Sequence, residues 1–156
     1  MDDAHWIREA IAVAREGLAR GQTPFGCVIV REDKELARAH NEVWARTDIT
    51  AHAEILALRR ACEAVKAVHL RGGAVYTTTE PCPMCFSACH WANVDRVVFG
   101  ARIPDALRAG FRELTIPAEE MARRGGSSVK VHGGVLEREC AALFEAWEAG
   151  GGAKPY

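Results

Sequence analysis

Residues 74–92, Ala74-Val-Tyr-Thr-Thr-Thr-Glu-Pro-Cys-Pro-Met-Cys-Phe-Ser-Ala-Cys-His-Trp-Ala92, decide the fold. Ala74 to Thr79 carry the β-branched and aromatic content of a strand. Pro81 stops that strand, and Cys82-Pro83 open a helix running to about Ala92, because proline is tolerated in a first turn. A strand feeding directly into a helix is the repeating unit of an α/β sheet.

The same grammar extends in both directions. Upstream, Thr50 is placed to cap a helix with the body AHAEILALRRACEAV, so His52 and Glu54 fall in its first turn. Before it, Cys27 to Val30 and Leu36 to Ala39 read as the strands of a hairpin turning at Glu32-Asp33, with Asn41 just past its end and a polar loop leading on to Asp48. Ile7, Ala10, Ile11, Ala14 and Leu18 recur at helical spacing over residues 4–20. Downstream, Asp95 to Gly100 and Val129 to Val131 read as strands on either side of an irregular stretch, 104–127, with one or two short helices. Leu136, Cys140, Leu143, Phe144 and Trp147 share one face of a last helix. The expected architecture is one α/β domain over residues 1–156, a three-layer α/β/α sandwich with a central mixed sheet.

Composition narrows the function. The 156 residues are 49% apolar and 26% charged, with a formal charge of -1, which disfavours a bulk electrostatic grip on nucleic acid without excluding a local basic patch. No apolar stretch is long enough to span a membrane, and the acidic N-terminus does not read as a secretory signal, so a cytoplasmic protein is expected. In that setting the six cysteines read as reduced thiols. Cys27, Cys62, Cys89 and Cys140 sit among apolar neighbours and read as packing thiols.

Cys82 and Cys85 form a C-x-x-C pair that alone fits zinc, redox chemistry or accident. An H-x-E at His52 and Glu54 selects zinc: one imidazole and two thiolates fill three tetrahedral positions and leave the fourth for water, the arrangement of a catalytic site. Both ligand groups lie at helix starts, where unpaired N–H groups favour thiolates. They meet if the strands feeding the two helices are adjacent and parallel. Two thiolates cancel the charge of Zn²⁺ and weaken its hold on a water's proton, so Glu54 is the expected acid–base group.

TAHAE at 50–54 and EPCPMC at 80–85, with PFG at 24–26, HN at 40–41, HWA at 90–92 and RVVFGA at 96–101, resemble the cytidine-deaminase-like zinc deaminases. Within that superfamily the chain is most similar to guanine deaminases and related nucleobase deaminases. The resemblance implies a Zn²⁺-dependent aminohydrolase taking a small-molecule nucleobase and water, guanine first. Alternatives are a tRNA adenosine deaminase, a cytosine, nucleoside or aminotriazine deaminase, and a non-catalytic zinc scaffold. It further implies that Asn41 bonds the base, Phe25 and Trp91 pack near its faces, and the Ala53 backbone N–H meets a ring carbonyl. It implies a homodimer packed near the zinc, with Tyr156 exchanged into the partner's pocket. Residues 149–156, rich in glycine, are expected to be a flexible tail that closes the site as a lid, against the alternative of a frayed end. The segment after Phe111 reads RELTIPAEE where guanine deaminases tend to carry aspartates.

Overall fold

The computed structural model describes residues 2–156. Five strands form one sheet in the order β2-β1-β3-β4-β5: β1 Gly26–Arg31, β2 Lys34–His40, β3 Gly73–Thr79, β4 Arg96–Ala101 and β5 Lys130–His132. β1 runs antiparallel to both β2 and β3, while β3, β4 and β5 are parallel. The β1–β2 turn is made by Glu32 and Asp33, both left-handed, as a two-residue hairpin turn requires.

The pleat sorts the strand side chains between two cores. Cys27, Ile29, Val75 and Val97 face one side, where they pack with Leu56, Ala57, Phe86 and Ala118 from α3 Ala53–Val65, α4 Pro83–Trp91 and α6 Ala118–Gly125. Val28, Val30, Ala74, Tyr76 and Val98 face the other, against Ile7, Ala106, Leu143 and Trp147 from α1 Asp3–Ala19, α5 Ile103–Arg108 and α7 Glu137–Ala149. This is the expected three-layer α/β/α sandwich on a mixed sheet. Burying each large aliphatic side chain contributes about 1.5–3 kcal/mol, so both faces of the sheet must be covered. Gly26 lets α1 lie on β1, since a Cβ there would stand 2.2 Å from the Ala10 carbonyl oxygen.

Four local expectations are corrected. A short helix, α2 Val43–Arg46, occupies part of what reads as a polar loop. Thr50 does not cap α3: its hydroxyl is held by Asp48 at 2.7 Å, and His52 is the N-cap residue. The strands feeding α3 and α4 run in the same direction but are not adjacent, because β1 lies between β2 and β3. Of the four packing thiols, Cys62 is only half-buried. No helix among the described residues is long and apolar enough to cross a membrane.

The topology gathers one sheet edge. The C-terminal ends of β2, β3 and β4 and the start of β1 lie together there, with Phe25 and Asn41 joined by the Asn41 N–H to Phe25 carbonyl bond of 3.1 Å. Clefts at the carboxyl ends of such strands are the usual location of α/β sites.

Candidate active site

His52 and Cys82 are the N-cap residues of α3 and α4, and Cys85 lies in the first turn of α4. His52 Nδ1 is 3.7 Å from Cys82 Sγ and 3.5 Å from Cys85 Sγ, and all three donor atoms fall within 4.8 Å of one another. Tetrahedral zinc, with bonds of about 2.0–2.1 Å to nitrogen and 2.3 Å to sulfur, places such donors about 3.6 Å apart, so the set fits the ion. Cys89, fully buried one turn further on, is not part of the cluster. A hydrogen bond from Cys85, reinforced by His52 against the opposing effect of burial, draws the Cys82 thiol down to about 4. The same bond to Cys82, with burial, pushes Cys85 up. The pair thus shares a proton that a metal would displace.

Glu54 is buried beside this cluster, on the second residue of α3. Burial raises its carboxyl above the ordinary carboxylate range, while Thr77, whose hydroxyl donates to Glu54 Oε1 at 3.0 Å, acts in the opposite sense. A carboxyl buried beside the cluster and held by Thr77 is placed to accept a proton and to return it.

Two contiguous cavities share His52, Cys82, Glu113 and Tyr156 in their walls. The inner one, about 20 Å³, is completed by Phe25, Asn41, Glu54, Thr79 and Glu80. That is room for roughly one water beside Glu54. The outer one, about 380 Å³, opens between Ile49, Met84, Phe111 and Leu114. Asn41 is buried; its Oδ1 accepts from the Val43 N–H at 3.0 Å and its Nδ2 donates to Tyr156 Oη at 2.5 Å. Phe25 stands edge-on to Phe111 and Phe144, 5.0 and 5.6 Å between centroids. Ala53 is fully buried and lines neither cavity, although its N–H belongs to the helix start, where donors have no intrahelical acceptor.

Trp91 is a correction. It is 78% exposed and lines a separate groove with Ile55, Leu58, Val68 and Ala88. Nine residues at about 100° and 1.5 Å each put it on the opposite side of α4 from Cys82 and more than 10 Å along the axis. Tyr156, by contrast, reaches the pocket of its own chain. Its ring is 5.6 Å from that of His52 and 5.2 Å from that of Phe111, and its carbonyl accepts from the Arg112 N–H at 3.1 Å. Burial keeps its phenol protonated.

Glu113 is the pocket residue that sequence reasoning missed. It lines both cavities, and burial, followed by the neighbouring Cys82 and Glu54 charges, raises its carboxyl to about 7. It lies in the irregular segment between α5 and α6, which has no periodicity to read. Glu80, next to the cysteine turn, ties down the two flanking helices: it accepts from the Ile103 N–H at the start of α5 at 3.4 Å and from the Ala118 N–H at the start of α6 at 2.9 Å.

A His/Cys/Cys cluster with a buried glutamate behind it defines a class of hydrolytic zinc sites, and the match to known proteins agrees. Residues 1–101 match the cytidine and deoxycytidylate deaminase zinc-binding region, and the chain belongs to that family. It is therefore a zinc-dependent aminohydrolase acting on an amidine C–N bond. The chain is 39% identical over 127 residues to the guanine deaminase of Bacillus subtilis (strain 168), covering 77% of this chain and 81% of that one. It is 37% identical over 145 residues to the tRNA-specific adenosine deaminase of the same organism, covering 93% and 88%. The solved guanine deaminase of Nitrosomonas europaea superposes with a TM-score of 0.85 at 27% identity, covering 94% of this chain and 84% of that one.

Proposed function

We propose that this protein deaminates a free nucleobase, guanine first, to xanthine and ammonia. The observation that carries the reading is Glu113. It adds a carboxyl to a pocket that already holds Glu54 and Glu80, the oxygens of Glu80 being taken up by the Ile103 and Ala118 N–H groups. Guanine presents a ring N–H and an amino group side by side, a donor pair that one carboxylate accepts, whereas adenine offers a ring acceptor at the corresponding edge. Tyr156 supports it by closing the pocket over a volume suited to a base. The last twenty residues, with four Glu against one Arg and one Lys, add no cationic surface for an RNA backbone.

His52, Cys82 and Cys85 would hold the zinc, which when bound would supply Lewis acidity that lowers a water's pKa. Glu54 accepts one proton of the attacking water and passes it to the ring nitrogen, then takes the proton of the hydroxyl added to the ring carbon and delivers it to the departing amine, so that a carbonyl forms, one water is consumed and one ammonia leaves. Thr77 orients Glu54 for these transfers. Asn41 and Phe25 bound the base. A cytoplasmic setting suits a free-base substrate.

The exposed groove along Trp91 and Val68 supports a homodimer, with this face covered by a second copy. Light scattering should give twice the chain mass and a Trp91→Glu variant the single mass; a wild-type monomer at working concentration contradicts it.

An ammonia-release panel of guanine, cytosine, adenine, their nucleosides, aminated triazines and a tRNA anticodon stem tests the substrate. Guanine should lead; activity confined to the stem overturns the reading.

A further inference from the structure

We propose that Thr79 is a substrate-contacting residue, its hydroxyl meeting from the inner cavity the polar edge of a ring seated in the outer one. Three consecutive threonines end β3, and the pleat gives them different duties. Thr78 points to one face, where its hydroxyl accepts from the Gly26 N–H at 3.2 Å. Thr77 points to the other and holds Glu54 at 3.0 Å. Thr79, two residues on, shares the face of Thr77 and lines the inner cavity with Asn41, Glu54 and Glu113. Thr79 is buried, yet its Oγ1 has no hydrogen-bond partner among the described residues.

Such a group is costly. A buried hydroxyl without a partner is disfavoured, and valine fills the same strand position with the same shape and no polar atom. The hydroxyl therefore lowers stability in the wall of the chamber that also holds Glu54. One hydroxyl donates once and accepts, which matches a ring nitrogen or carbonyl next to the amino-bearing carbon of an aminated heterocycle. The inference rests on the nucleobase reading and adds a specificity contact to it.

Thr79→Val and Thr79→Ser are compared with wild type on the best substrate of the ammonia-release panel, with zinc content and melting temperature measured on the same preparations. Thr79→Val should keep its zinc, melt at the same or a higher temperature, and lose about tenfold or more in kcat/KM, the effect of one lost polar contact. Thr79→Ser should recover to within about threefold because the hydroxyl is restored. An unchanged kcat/KM in the valine variant overturns the proposal while leaving the substrate reading intact. A loss of activity accompanied by loss of zinc or a lower melting temperature also overturns it, by showing a structural role. So does a serine variant as poor as the valine one, which assigns the loss to packing of the methyl. A wild type silent on the whole panel removes the nucleobase reading and this proposal together.

Discussion

Removing residues 150–156 should weaken catalysis with little effect on folding. Three hydrogen bonds dock the tail: Asn41 Nδ2 to Tyr156 Oη at 2.5 Å, the Trp44 indole N–H to the Lys154 carbonyl at 2.8 Å, and the Arg112 N–H to the Tyr156 carbonyl at 3.1 Å. At about 1 kcal/mol net each these contribute about 3 kcal/mol. Burial of the tyrosine ring adds about 2–3 kcal/mol. The Lys154 ammonium, 4.1 Å from the Trp44 ring centroid, adds about 0.5–1 kcal/mol. Ordering seven residues costs about 1 kcal/mol each, so docking is close to balanced and the tail can open cheaply. Truncation should therefore shift the melting temperature by no more than a few degrees and leave the zinc in place. Without Tyr156 over the pocket, kcat/KM should fall at least tenfold, about 1.4 kcal/mol of transition-state stabilisation. Steady-state ammonia release by the truncated and full chains reads this directly. Unaltered kinetics would refute the lid, and a fall in melting temperature of about 8 °C or more would show that the tail is a structural element.

Thr77→Val should lower kcat by about 10- to 100-fold through loss of a hydrogen bond to a buried carboxylate, and move the acid limb of the pH–rate profile upward, because that bond favours the ionised Glu54. An unmoved limb would count against Thr77 as the group that orients Glu54. Glu113 gives a stability signature in the metal-free protein. Its carboxyl is raised to about 7 from an ordinary 4.5, so the folded state binds the proton more tightly, and its contribution is present below pH 4.5 and lost as pH rises through 7. The loss is at most ~3 kcal/mol, and Glu113→Gln should flatten the fall in stability across that window; denaturant titrations at pH 5 and pH 8 giving the same wild-type-minus-variant difference would contradict it.

Much of the site was legible because its chemistry is written in short spacings. His52, Glu54, Cys82 and Cys85 each stand at the N-cap or in the first turn of a helix, α4 being marked by Pro83 and α3 by its Ala- and Leu-rich body. The sandwich followed from strand runs alternating with helical periodicity. Where the reading went astray, geometry across elements decided. Trp91 follows the cysteines by too many residues to share their face of α4, a rotation that counting along the helix would have revealed. Thr50 has the side chain of a cap, yet Asp48 competes for it and the metal-facing His52 takes the position. Glu113 carries no local signal at all, because its placement depends on Glu80 gripping two backbone N–H groups fifteen residues apart. Pocket residues placed by long-range pinning of this kind are invisible to periodicity.

Substituting Glu54 tests the account most directly, since every proton in the proposed reaction passes through that carboxyl. Glu54→Ala should bind zinc as wild type does, because the three donors His52, Cys82 and Cys85 are untouched. Its ammonia release from the preferred base should fall by roughly 10³-fold or more, the scale of a positioned acid–base group on a difficult displacement. A zinc-replete Glu54→Ala protein that still deaminates at near the wild-type rate would contradict the mechanism.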